Sequence, residues 1–161
     1  MSDAAISEVL PPLVVPCAGE DLEELLGREW LLTNRIGAYA SATIPGTNTR
    51  QYHGLLVAAT KPPGGRVLAL SAVMDQLIVP AEEGQTTYDL ATFEFPGTFN
   101  PCGAGNLVEF RHDVAATFLY RCGPAELVKE IILAETANAV AVRYRLLSGP
   151  ACRLRIRPFL A

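Results

Sequence analysis

No stretch of this sequence is apolar for long enough to cross a membrane as a helix. Spanning takes roughly 18 or more consecutive apolar residues, and the longest runs here, such as LLVAA from Leu55 and VLAL from Val67, are strand-sized, bounded by Gly54 and Thr60 and by Arg66 and Ser71. A basic leader is missing too. The opening MSDAAISEVLPPLVVPCAGE carries early acids and prolines at Pro11, Pro12 and Pro16 where a secretory signal needs an apolar core, so the simplest expectation is a cytoplasmic protein with no membrane partner. Excess positive charge is absent: the formal net charge is −4, which leaves no electrostatic footprint for nucleic acid. Histidine is scarce, with only His53 and His112, and neither stands at metal-ligand spacing from acids or cysteines, so no metal and no cofactor is expected. The cysteines, Cys17, Cys102, Cys122 and Cys152, include no C-x-x-C pair and are expected to be small buried hydrophobes. Helical periodicity is nearly absent as well.

What is present is apolar and β-rich. Half of the 161 residues are hydrophobic and 19% are charged, enough to fill one ordinary core and leave some apolar surface over. Residues 1–19 read as an extended lead-in, with Leu13 to Val15 as an edge strand, and residues 20–161 as one domain. Glu20 to Leu26 puts Leu22, Leu25 and Leu26 on one stripe, with acids in the first turn and Gly27 as the stop, which predicts one short helix. The remainder breaks into short strands at Trp30–Thr33, Tyr39–Thr43, Tyr52–Ala59, Arg66–Val73, Gln76–Val79, Leu107–Asp113, Thr117–Cys122, Leu127–Leu133, Val140–Leu147 and Cys152–Phe159, separated by Gly and Pro turns. The expected fold class is all-β, an antiparallel β-sandwich of supersandwich type.

The last two strands alternate most clearly. Val140, Val142, Tyr144 and Leu146 face one way and Arg143 and Arg145 the other, while Cys152, Leu154 and Ile156 oppose Arg153, Arg155 and Arg157. That pattern reads as a hairpin around Ser148-Gly149-Pro150 with one core face and one arginine face, relieved by Glu126 and Glu130 or docked against another domain.

One segment holds more chemistry than a strand pair needs. In EWLLTNRIGAYASATIPGTNTRQYHGLL, Glu29 to Leu56, the amides of Asn34 and Asn48, the guanidinium of Arg50, the rings of Tyr39, Tyr52 and Trp30, and His53 gather around glycines that allow tight turns. Amides, guanidinium and aromatic rings are the groups that meet sugar hydroxyls and the C–H face of a pyranose. Trp30 also reads as a core anchor, since it opens a strand ahead of Leu31 and Leu32.

At these residues the chain resembles the N-terminal domain of bacterial and archaeal glycogen debranching enzymes, the amylo-α-1,6-glucosidase family. The likeness extends through the PPGGR turn at Pro62 to Arg66 and the VLALSAVMDQL strand, and a weaker one covers Val128 to Ala161, leaving Pro80 to Asn106 unmatched. It departs from the family pattern at Arg35-Ile36-Gly37-Ala38, where a glycine-rich turn is usual.

The resemblance implies a β-supersandwich that packs on an (α/α)6 glucosidase domain following in the same polypeptide. It also implies that Arg157-Pro158-Phe159-Leu160-Ala161 runs on into a linker in the parent enzyme. Two carboxyl groups normally flank a glycosidic bond in its hydrolysis, and in this family they belong to the helical domain. No catalytic residue is therefore expected here. Asn34, Asn48, Arg50, Tyr52, His53, Trp30 and Tyr39 stand as candidates for binding an α-glucan. A stand-alone carbohydrate-binding module and a scaffold that never touches sugar are the alternatives. Some self-association of the isolated domain is expected, because the face that the glucosidase domain normally covers would be open.

Overall fold

The computed structural model describes residues 11–61 and 64–161. The first ten residues of the lead-in, and Pro62 and Pro63 of the PPGGR turn, lie outside the described residues.

Among the described residues, thirteen strands and two short helical turns follow in order: β1 (Leu13–Pro16), α1 (Leu22–Leu26), β2 (Glu29–Thr33), β3 (Tyr39–Thr43), β4 (Gly54–Lys61), β5 (Gly65–Pro80), β6 (Gln85–Asp89), β7 (Thr92–Phe95), β8 (Thr98–Cys102), a 3-10 turn (Gly103–Asn106), β9 (Leu107–His112), β10 (Ala116–Cys122), β11 (Ala125–Leu133), β12 (Val140–Ser148) and β13 (Arg153–Leu160). They form an all-β antiparallel sandwich. One sheet runs β1-β9-β10-β11-β12, the other β13-β5-β4-β3-β2 with β6 on the second half of β5, and β7 and β8 make a separate hairpin. Among the described residues no helix is long and apolar enough to cross a membrane.

Alternation builds the core. Trp30 and Leu32 from β2, Leu77 and Val79 from β5, Phe110 from β9, Phe118 and Tyr120 from β10 and Leu127 and Ile131 from β11 interlock between the sheets. Phe118 meets Trp30 edge-on with centroids 6.1 Å apart and Phe110 at 5.1 Å, geometries that aromatic quadrupoles favour. At the one helix, Asp21 accepts from Glu23 N with its side chain and so caps the first turn. The Leu13 to Val15 stretch does pair, at the edge of the first sheet against β9. Of the cysteines, all free thiols, Cys17 and Cys122 are buried as expected, whereas Cys102 is exposed.

Three expectations change. β12 and β13 are not a hairpin: β12 pairs with β11 in one sheet and β13 with β5 in the other. The Ser148-Gly149-Pro150 link thus crosses the sandwich, with Gly149 at φ +109 and pressed so close that a Cβ there would stand 2.7 Å from Ala125 Cα. Splitting the strands removes the arginine-on-arginine pairing a hairpin would impose. Arg143 instead meets Glu130 across β11 at 2.7 and 2.8 Å, while Glu126 pairs with Arg121.

Second, β5 does not break at Met74-Asp75 but continues for 16 residues, because Asp75 is paired in the interior. Third, Pro80 to Asn106, assigned no strand from sequence, contributes β6, β7 and β8. Their short, polar runs leave little periodicity to detect.

On the side where β12 and β13 end their sheets, the sandwich stays open. Leu146 and Ile156, which alternate with the outward arginines, remain accessible, Ile156 at 47%.

Candidate functional site

The Tyr39-to-His53 region folds into a groove because two turns bring its side chains to one edge of β2, β3 and β4. At the first, Asn34 accepts from Ile36 N at 3.2 Å and Ala38 N at 2.9 Å through Oδ1, an Asx turn that holds Gly37 at φ +86. The second spans Thr43 to Thr47, where Thr43 Oγ1 donates to Thr47 O at 2.9 Å and accepts from Thr47 N at 3.1 Å. From Thr47 the chain runs over the surface through Arg50 and Tyr52 before entering β4.

The resulting groove encloses about 380 Å³ and is lined by Glu29, Tyr39, Arg50, Tyr52, His53 and Arg66 among others. Tyr52 is its open wall, 71% exposed. Tyr39 lies half-buried and donates its hydroxyl to the backbone carbonyl of Tyr52 at 3.1 Å, which ties the Tyr39 ring to the segment that carries Tyr52. The Arg66 guanidinium sits over the Tyr39 ring, 5.9 Å from its centroid, while Nε donates to Gly37 O at 3.2 Å.

Arg50 is held by an ion pair with Glu29. That hydrogen bond keeps the Glu29 carboxyl below the usual carboxylate range, so it is ionised at neutral pH and unsuited to act as a proton donor. His53 forms the floor. Its Nδ1 accepts from Thr49 N at 3.2 Å, and Nε2 stands 3.8 Å from Glu29 Oε1. Burial pushes the imidazole below its ordinary value, against the opposing pull of Glu29, so the ring is neutral in the fold at pH 7.

Four of the residues singled out from sequence therefore meet here: Tyr39, Arg50, Tyr52 and His53. Trp30 does not. It is buried in the core and donates Nε1–H to Thr43 O at 3.1 Å, the anchor role. Asn34 is fully engaged, since its Nδ2 also donates to Ala134 O at 2.8 Å and Ala137 O at 3.0 Å, tying the β2–β3 turn to the β11–β12 loop. Asn48 belongs to a neighbouring hollow, where it donates to Ser71.

Sequence reasoning missed two groove residues, Glu29 and Arg66. Both had a signal, as Glu29 heads the segment and Arg66 closes the PPGGR turn. A buried polar cluster was missed as well: Asp75 Oδ2 takes Lys129 Nζ at 2.6 Å and the Tyr144 hydroxyl at 2.7 Å between the sheets. Burial and the Asp75 charge drive the Tyr144 phenol far above its ordinary range, so it stays a donor.

Chemically the groove presents one ionised carboxylate, two guanidinium groups, two phenols and a neutral imidazole. Among the described residues no cluster of three or more His, Cys, Asp or Glu could hold a metal ion. The arrangement supplies hydrogen-bonding groups and aromatic rings, with Glu29 as the acid among the lining residues.

No curated protein and no solved structure matches the chain. A family model does: the one described as glycogen debranching enzyme N terminal matches residues 28–161, including the Pro80 to Asn106 stretch that the sequence resemblance left uncovered. With the match running through every strand from β2 to β13, the chain belongs to the glycogen debranching enzyme N-terminal family.

Proposed function

We propose that this chain serves glycogen breakdown as a non-catalytic domain: its groove receives a segment of α-glucan, and its open side seats the (α/α)6 glucosidase domain of the same polypeptide. The observation that carries the first part is the pair of tyrosines lining one groove, with the Tyr39 hydroxyl bonded to the Tyr52 backbone. Tyr52 offers an exposed ring on a hydrogen-bonded frame, with Arg50, Arg66 and Glu29 placed around it to meet hydroxyl groups. A neutral, hydroxyl-rich chain with apolar C–H faces satisfies rings, donors and acceptor together. An apolar ligand would desolvate the Glu29 carboxylate and the polar rim of the groove without offering them hydrogen bonds.

The second part rests on the edges of the sandwich. β12 and β13 both end their sheets, and Leu146, Ile156 and Leu160 are exposed along them, apolar groups of the kind that an interaction surface covers. Backbone groups on two strand edges are open there as well, which invites pairing or cover.

Titration of the isotope-labelled chain with maltooligosaccharide tests the reading. Amide shifts are expected at Tyr39, Tyr52 and Arg66, with millimolar affinity, because the groove has only one wall on this domain. Absence of shifts at millimolar sugar would leave a scaffold role only. Release of glucose from a branched oligosaccharide by the purified chain would overturn the non-catalytic assignment.

A further inference from the structure

The segment from Thr47 to His53 is a wall with a concavity on each side. Arg50, Tyr52 and His53 line the groove described above, while Thr47 and Asn48 line a second hollow of about 260 Å³ with Ser71, Phe93, Glu94, Phe95 and Phe159. We propose that this second hollow is a further α-glucan subsite, in which Phe95 and Phe159 take the C–H face of a glucosyl ring while Asn48 Oδ1 and Glu94 accept its hydroxyl protons. The proposal rests on the reading that this domain binds α-glucan, whichever concavity takes it.

Three features of the hollow support it. First, its aromatic content is exposed where most phenylalanines are buried: Phe95 is 52% and Phe159 43% accessible, and Phe159 is braced edge-on by Phe93 with centroids 5.5 Å apart. Second, Asn48 and Glu94 present acceptors to it. Asn48 donates both its bonds to Ser71, at 3.1 Å to O and 3.2 Å to Oγ, leaving Oδ1 open, and Glu94 has no cationic partner among the described residues. Hydroxyl groups supply the missing donors, whereas an apolar partner would desolvate a carboxylate without compensation.

Third, the floor is rigid. Buried hydroxyls run in series beneath it: Thr43 Oγ1 to Thr47 O at 2.9 Å, Thr47 Oγ1 to Thr92 O at 2.9 Å, and Ala104 N to Thr92 Oγ1 at 3.0 Å. This relay ties the β7–β8 hairpin, and with it Phe93 to Phe95, to the same wall that carries Arg50 and Tyr52. A site held this way loses little freedom on binding. Its volume falls just below the range of roughly 300 to 1,000 Å³ for drug-sized ligands, the scale of one or two sugar rings.

The test is a maltohexaose titration of the labelled chain, read residue by residue, for the unmodified protein, Phe95→Ser and Tyr52→Ala. Shifts are expected in two separate groups, around Asn48 and Phe93 to Phe95 and around Tyr39 and Tyr52. Phe95→Ser should weaken the first group about tenfold and spare the second, and Tyr52→Ala should do the reverse. Shifts confined to the tyrosine groove would overturn this inference and leave the groove reading intact. Shifts confined to the Phe95 hollow would overturn the groove reading and support this one. No shifts at either place would overturn both, and shifts at the hollow that survive Phe95→Ser would overturn the stacking role. Should Phe95→Ser fail to fold, Glu94→Gln on the exposed rim replaces it, with the same selective weakening expected.

Discussion

Lys129 Nζ lies 2.6 Å from Asp75 Oδ2 in the interior of the sandwich, so an ion pair joins β11 of one sheet to β5 of the other. The Tyr144 hydroxyl donates to the same oxygen from β12, and Asp75 Oδ1 has no hydrogen-bond partner among the described residues. Buried pairs of this kind are costly to break from one side, because the remaining charge is stranded. Lys129→Met should therefore lower stability by about 3–5 kcal/mol in urea unfolding, and Asp75→Leu combined with Lys129→Met should recover much of the loss. A single-variant loss below about 1 kcal/mol would show that the pair is not formed in solution.

His53 makes stability depend on pH in a defined direction. Burial lowers its folded pKa, so the unfolded chain binds the proton more readily. Stability is complete above the ordinary imidazole value of about 6.5 and is lost as pH falls through the lower, folded value. Urea midpoints measured from pH 7.5 to 5 should fall, and the fall should shrink in His53→Gln. Glu29→Gln should steepen it, because the Glu29 charge is what opposes the burial effect. A slope unchanged by His53→Gln would exclude this assignment.

The polar atoms of Asn34 are committed to the fold, accepting from Ile36 and Ala38 and donating to Ala134 and Ala137. Asn34→Ala should cost about 1–3 kcal/mol, the range for losing a buried hydrogen-bonding group. Sugar affinity should remain unchanged at a temperature where the variant is folded. Loss of affinity without loss of stability would instead make Asn34 a contact residue.

The open side predicts association. At high protein concentration, sedimentation should show reversible self-association, and Ile156→Glu or Leu146→Glu should suppress it by charging the exposed apolar side. A monomer at all concentrations would count against a large interface there.

Local pattern made much of this fold readable. The alternation in β12 and β13 marked the face that packs on the core through Val142, Tyr144 and Leu154, although Leu146 and Ile156 on the same stripes stay exposed, and the acids of EDLEELL marked the helix start. The pairing of β12 was not legible, because the inward faces of β12 and β13 fit a hairpin and a crossover equally well. Only the cost of opposing arginines, with the glycine that the crossing demands at position 149, separates the two.

At the site, residue types pointed to the segment and not to the geometry. Trp30 and Tyr39 differ in role because β2 turns one ring inward while β3 leaves the other half-exposed, a difference of facing. The Asp75 and Lys129 pair was hidden for a related reason: each reads alone as a break or a surface charge, and their sequence separation leaves the partnership invisible until the sheets stack.

The central claim, that the tyrosine groove receives α-glucan, is tested most directly by calorimetric titration of maltohexaose into the chain and into Tyr52→Ala. The account predicts millimolar binding that weakens roughly 3- to 10-fold in the variant, the equivalent of about 0.5–1.5 kcal/mol of ring contact, with unchanged unfolding. Equal affinity in the two proteins would contradict it.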